Sequence, residues 1–209
     1  MRSLTLPRLT EEEKMGDNSK KLPRGFYLCD GLIAAEKLLV HDSPEGLTSG
    51  RIVELEAYMG ESDKGCHAYG GRRTDRTEVL YGEGGHAYVY LIYGMYSCMN
   101  VIVNKKDIPH CIFIRALEPV DGIDLMKARR GTDKLRNLCS GPGKLCIAMG
   151  ITRELYGEDL CGDRLWIEDD GYRPEIACGK RINIDYAEEA IDFEWRFAVK
   201  NSKFLSVKI

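Results

Sequence analysis

HAYVYLIYGMYSCMNVIVN, residues 86–104, is the stretch on which the fold turns. Valine, isoleucine and tyrosine crowd it, and these residue types suit a pleated, half-buried surface. It is interrupted once, at Tyr93-Gly94-Met95-Tyr96, where glycine supplies the freedom a turn needs. The stretch therefore reads as two antiparallel strands folded around that turn. Successive side chains alternate along a strand, so Tyr88 and Tyr90 project to the same side. Tyr93 falls at the tip.

The flanking sequence extends the pattern. Upstream, LLVHD and RIVELEAYM enclose SPEGLTSG as a second hairpin. Alternation along RIVELEAYM sets Ile52, Glu54, Glu56 and Tyr58 on one face and turns Val53, Leu55 and Ala57 toward a core. Before it, DGLIAAEKLLV carries Leu32, Ile33, Ala35, Leu38 and Leu39 at helical spacing. Between the hairpins, GESDKGCHAYGGRRTDRTEVLYGEGG is a polar loop of a length that is usually functional or disordered. Downstream, HCIFIRALEPV reads as a strand and GIDLMKARRG as a helix. SGPGKLCIAMG reads as a helix with Ser140 as N-cap and Pro142 in the first turn. EWRFAVKN and FLSVKI follow as short strands. The expected architecture is α+β: one compact domain over residues 21–209, after a polar lead-in over 1–20. It has a mostly antiparallel curved sheet, flanking helices and a protruding β-hairpin.

A chain of 209 residues with 44% hydrophobic and 30% charged residues is globular, not disordered. The longest apolar runs, GLIAA and VYLIY, are too short to cross a bilayer. The first residues lack the apolar stretch of a signal peptide, so an intracellular protein is expected. The eight cysteines form no CxxC pair, and the four histidines stand away from finger spacing. Reduced, mostly buried thiols and no metal are expected. A net charge of −3 does not advertise a nucleic-acid protein. Basic clusters remain at GGRRTDR (70–76), KARR (127–130) and SGPGK (140–144), and binding needs a basic stripe, not a basic average.

Several residues carry candidate chemistry. CSGPGKLC imitates a phosphate-binding loop, but Leu138 stands where its leading glycine belongs and Leu145 replaces the Ser/Thr. What remains is a helix start at Ser140 whose N–H groups, with Lys144, could receive a backbone phosphate. Glu54 and Glu56 lie about 7 Å apart on one strand face and lead into the loop that holds His67. A half-solvated face explains them without function; a glutamate there could also deprotonate water, a contribution of roughly 10²–10⁴ in rate. Arg115, in the apolar CIFIRAL, needs a partner. It is either one half of a buried structural salt bridge or the group that keeps a catalytic carboxylate ionised. A ring at the apex of a tight turn, as Tyr93 is, reads as a probe that enters something else. Stacking on a nucleobase contributes about 1–3 kcal/mol, enough to offset much of the cost of unstacking one nucleotide.

Taken in order, RIVELEAYMG, CHAYGGRRTDRTEVLYGEGGHAYVYLIYGMYSCMN, CIFIRALEP, LCSGPGKLC and WRFAVKN resemble the alkyladenine (3-methyladenine) DNA glycosylase family. The resemblance covers most of the chain from about Leu22 onward. It implies a monofunctional base-excision enzyme, a monomer without metal or organic cofactor, acting on double-stranded DNA that carries a damaged purine. The setting would be a bacterial nucleoid or a nucleus. Glu56 would activate water for attack on the sugar carbon, with Arg115 and the backbone carbonyl of Val199 holding that water. Tyr58 would stack on one face of the extruded base, with His67 and Tyr90 against the other. Asn100, at the pocket floor, would disfavour the 2-amino group of guanine. Tyr93 would occupy the vacated space in the helix, and Arg72, Arg73, Arg76, Ser140 and Lys144 would meet phosphates. Asn201 stands where the family has glycine, and Asp75 where it commonly has proline. Two other readings compete: a nucleoside or glycoside hydrolase using Glu54 and Glu56 as a pair, and a non-catalytic module for distorted DNA.

Overall fold

The structure, a computed structural model, describes residues 20–28 and 37–209. The lead-in and most of the helix expected over 30–40 lie outside these residues. Both expected hairpins form. The strands are β1 (Leu38–Ser43), β2 (Gly46–Met59), β3 (Ala87–Ile92), β4 (Tyr96–Val103), β5 (His110–Asp121), β6 (Leu165–Glu168), β7 (Ile176–Gly179) and β8 (Arg196–Val199). The helices are α1 (Arg24–Tyr27), α2 (Ile123–Arg130) and α3 (Pro142–Met149).

One antiparallel sheet runs in the order β3-β4-β5-β2-β1-β6, with β8 joined to β2 and β7 to β8. β2 is long enough to hold three partners. β5 follows one edge, while β1 takes Gly46–Arg51 and β8 takes Glu54–Glu56 on the other. With its edge divided in this way, the sheet curls into a half-barrel, a single compact α+β domain. Leu55, Ala57, Met99, Ile112 and Ile114 pack there against Met126, Leu145 and Met149 of α2 and α3. Each such side chain contributes about 1.5–3 kcal/mol on burial. Gly143 permits a close approach: a Cβ there would stand 3.2 Å from Tyr96, so glycine lets β4 lie on α3.

Simple alternation along β2 holds only from Glu54 onward. Ile52 pairs with Leu117 and Glu54 with Ala116, which leaves Val53 unopposed in a β-bulge. Ile52 consequently joins Leu55 and Ala57 in the main core, whereas Val53 turns to a separate cluster with Ala116 and Val199. The expected faces of Ile52 and Val53 are thus exchanged. Glu54 and Glu56 do share a side, but it is not half-solvated, for both are completely buried.

Two further expectations are corrected. Gly141, not Ser140, is the N-cap of α3, because Ser140 is held extended by its bridge to Ala116 of β5. FLSVKI forms no strand. Its Ser206 folds onto Glu54 instead, and the Val207 carbonyl accepts from Arg196. The long polar loop is ordered through three short 3₁₀ turns, Gly60–Ser62, Tyr69–Gly71 and Glu78–Tyr81.

The β3–β4 turn closes with Tyr93 at φ 53° and Gly94 at φ 67°, and the Met95 N–H donates to the Ile92 carbonyl at 3.2 Å. That is a type I′ turn, suited to the twist of a hairpin. Glycine accepts it freely, but a tyrosine in the left-handed region costs about 1–3 kcal/mol. The Tyr93 ring is 82% exposed.

Candidate active site

β2, β5 and β8 converge on Glu54 and Glu56. Glu54 Oε1 accepts from Arg115 Nε at 3.2 Å, Arg196 Nε at 3.0 Å and the Ser206 hydroxyl at 2.8 Å. Its Oε2 accepts the Ser206 backbone N–H at 2.6 Å. A carboxylate offers about four acceptor positions, and Glu54 meets four donors, three of them on Oε1. Glu56 Oε1 accepts the Ile182 N–H at 2.7 Å and lies 3.2 Å from Arg115 Nη1, while Oε2 accepts the Tyr58 hydroxyl at 2.9 Å. One of its positions stays uncommitted. Burial pushes the Glu56 carboxyl above the ordinary carboxylate range, although Arg115, the Ile182 N–H and the Tyr58 hydroxyl each hold it down. Arg115 bridges the two buried carboxylates, Nε to Glu54 and Nη1 to Glu56, each at 3.2 Å.

Val199 sits elsewhere along this junction. In the β2–β8 register Arg196 is opposite Glu56, and Val199 belongs with Val53 and Ala116. Its carbonyl accepts the Ser202 N–H at 3.1 Å. Asn201 adopts φ 61°, the left-handed region that glycine fills without strain and asparagine tolerates.

On the far side of Tyr58 lies a cavity of about 50 Å³. Tyr58, His67, Tyr90 and Asn100 all line it, joined by Tyr88, Cys66, Cys111 and Tyr186. The His67 and Tyr90 rings meet edge-on with centroids 4.8 Å apart. His67 Nδ1 hydrogen-bonds the Tyr88 hydroxyl at 2.9 Å. Burial, followed by the charges of Arg76 and Arg72, holds His67 down to about 4, so its ring is neutral near pH 7. Asn100 Nδ2 donates to the Tyr88 carbonyl at 3.4 Å, and its Oδ1 accepts the Cys111 thiol at 3.6 Å. Behind Tyr58, Arg181 forms a buried two-pronged salt bridge to Asp63 at 2.5 and 2.7 Å and lies 4.6 Å over the tyrosine ring. Lys64 adds bridges to Glu188 and Glu189 at 2.5 and 2.8 Å. The loop after β2 and the loop before β8 are thereby bound together beside the cavity. Its size suits a few waters, which need about 10–15 Å³ each on this measure, and is well below the roughly 150 Å³ of a cavity that takes up benzene.

A carboxylate with a free acceptor position, one tyrosine away from an aromatic cavity, fits hydrolysis of a bond to a flat group. Residues 30–203 match the family described as methylpurine-DNA glycosylase. The chain belongs to that family. A relative from Clostridium acetobutylicum, provisionally named a 3-methyladenine DNA glycosylase, is 52% identical over 200 residues, covering 90% of this chain and 98% of its own. Relatives under the same provisional name from Clostridium novyi and Bacillus cytotoxicus are 48% and 51% identical, covering 90% and 89% of this chain and 100% and 99% of theirs. This methylpurine-DNA glycosylase is thus a hydrolase of N-glycosyl bonds with DNA as substrate, in base excision repair. Among the described residues no helix is long and apolar enough to cross a membrane, and no three His, Cys, Asp or Glu side chains gather as metal ligands would.

The glycosylase's expected phosphate contacts divide into four kinds. Arg73 is already engaged, by Glu78 at 2.6 and 2.9 Å and by Asp107 at 3.2 Å. Arg76 is exposed and lies 5.0 Å over the Tyr90 ring. Arg72 and Lys144 are exposed, and among the described residues neither makes an ion pair. Ser140 is half-buried in its bridge to β5. Sequence reasoning missed Arg196 and Ser206, which complete Glu54, and Ile182 and Arg181, which complete Glu56 and Tyr58. Only Arg196 left a signal, being a second arginine within an apolar strand.

Proposed function

We propose that this enzyme swings an alkylated purine out of duplex DNA, stacks it in the cavity beside Tyr58, and hydrolyses the N-glycosidic bond with water activated by Glu56. The reading is carried by the single uncommitted acceptor position on Glu56. Water hydrogen-bonded there, with Arg115 beside it, has a base for its proton. Its oxygen attacks C1′, the bond from C1′ to the purine breaks, and the purine leaves with the bonding electrons. An N3- or N7-alkylated purine is cationic and departs neutral, so 3-methyladenine and 7-methylguanine are the favoured substrates. Aromatic faces favour a positive ring, and a neutral His67 adds no opposing charge. Hypoxanthine and ethenoadenine, being neutral, ask for a proton as they leave.

Admission of a purine requires a lining ring to swing outward. Tyr186, 67% exposed at the mouth, is the least restrained of them. His67 and Tyr90 face the base opposite Tyr58, and Asn100 rejects a 2-amino group. Tyr93 enters the helix from its strained turn. Arg72 and Lys144 hold phosphates, with Arg76 and Ser140 closing in as DNA docks. The enzyme acts as a monomer inside the cell. A hydrolase using the two glutamates as a pair is disfavoured, because no donor to Glu54 lines the cavity, whereas Tyr58 joins Glu56 to it. Base release from duplexes with one defined lesion each, wild type beside Glu56→Gln, tests the proposal. Loss of release with lesion binding retained is expected; retained release would overturn it.

A further inference from the structure

Two thiols in the cavity wall have no part in that reaction. Cys111, on β5, stands opposite Tyr58 of β2, and Cys66 lies in the loop that follows β2. Both are buried in one cluster with Ala68, Tyr88 and Ile102, and both line the cavity. Neither is in a disulfide. Cys66 Sγ accepts the Ala68 N–H at 3.5 Å, and the Cys111 thiol donates to Asn100 Oδ1 at 3.6 Å. The cavity that joins them is too small for a base but admits a molecule the size of water. Hydrogen peroxide is little larger.

We propose that Cys66 and Cys111 are a peroxide-responsive pair whose oxidation to a disulfide closes the base cavity. Cys66 is the attacking thiol: its Sγ accepts the Ala68 N–H at 3.5 Å, which favours the thiolate, whereas Cys111 keeps its proton on Asn100 Oδ1 at 3.6 Å. Its sulfur attacks one peroxide oxygen: an S–O bond forms, the O–O bond breaks, and hydroxide leaves. The Cys111 sulfur then displaces hydroxide from the sulfenic acid, so that the S–S bond forms, the S–O bond breaks, and the thiol proton departs in water. Two thiols are oxidised by two electrons, and one peroxide is reduced to two waters. The new bond, about 2.05 Å long, draws the Cys66 loop against β5. It also removes the thiol proton that orients Asn100.

The loss of activity rests on the base-cavity reading above, whereas the bond itself is read from mass and thiol count, so the two can fail separately. Full-length protein is treated with hydrogen peroxide, digested without reductant and mapped, with base release and lesion-duplex binding measured in parallel. A linked Cys66–Cys111 peptide should appear, base release and binding should fall in step with it, and dithiothreitol should restore them. Cys66→Ala and Cys111→Ser, each checked for a melting transition, should hold their own untreated rates through the same exposure. Oxidation of other cysteines without this linkage overturns the pair. Linkage with undiminished release and binding overturns the closure, as does equal inactivation of either variant.

Discussion

Glu54 and Glu56 share one face of β2, are equally buried, and bind the same arginine, yet their surroundings serve different ends. Glu54 takes four donors, from Arg115, Arg196 and both groups of Ser206, and none of these residues lines the cavity. Glu56 takes three, one of them the hydroxyl of Tyr58, whose ring does line it. Burial and ion pairing therefore do not tell the two carboxylates apart. The link to the cavity does.

The contrast can be broken in several ways. Glu56→Gln should lower base release by about 10²–10⁴ while leaving the melting temperature level or slightly raised, because a neutral amide is cheaper to bury than a charge. Glu54→Ala should do the reverse and act first on folding. Two buried guanidinium groups lose their common acceptor, a loss of about 3–5 kcal/mol in denaturant titrations. Equal catalytic losses with equal stability would make the glutamates a pair and undo the distinction. Acid sharpens the same contrast. The proposed mechanism uses ionised Glu56, and burial raises its pKa, so protonation begins at higher pH than for an ordinary carboxylate, about 4.3. Single-turnover rates should therefore fall on the acid side above that value, by about tenfold per pH unit below the midpoint, and Glu56→Gln should erase this limb.

Away from the carboxylates, smaller effects are expected. Tyr93→Gly relieves the left-handed strain and should stabilise the fold by about 1 kcal/mol. It should also weaken lesion-duplex engagement by about 1–3 kcal/mol, an opposition of signs that a core tyrosine could not produce. Among the arginines, Arg72→Ala should reduce the slope of log affinity against log salt by about one. Arg73→Ala should change it little, since Glu78 and Asp107 already hold that side chain.

Much of this architecture was legible because it is local. Both hairpins followed from alternation and turn chemistry, and the exposed tip followed from Tyr93-Gly94 alone. The bulge at Val53 was not legible, because one unopposed residue leaves no mark in the hydrophobic pattern. Ser140 looked like a cap until the bridge to Ala116 claimed its backbone. The burial of Glu54 was hidden for a stronger reason: its cover, Ser206, lies 152 positions away. The aromatic wall could be named from the resemblance. The thiol contact between Cys66 and Cys111 could not, since it exists only where a loop folds against β5.

Ser206 has a consequence for how the molecule comes into being. During translation, Arg115 and Glu56 leave the ribosome long before the residue that secures Glu54 has been polymerised. A nascent chain thus cannot finish this carboxylate cluster early, and one that stalls short of Ser206 is left with an unfinished clamp on Glu54. Messenger truncated just upstream of that codon would yield a protein with the cavity rings in place and an unsteady Glu54.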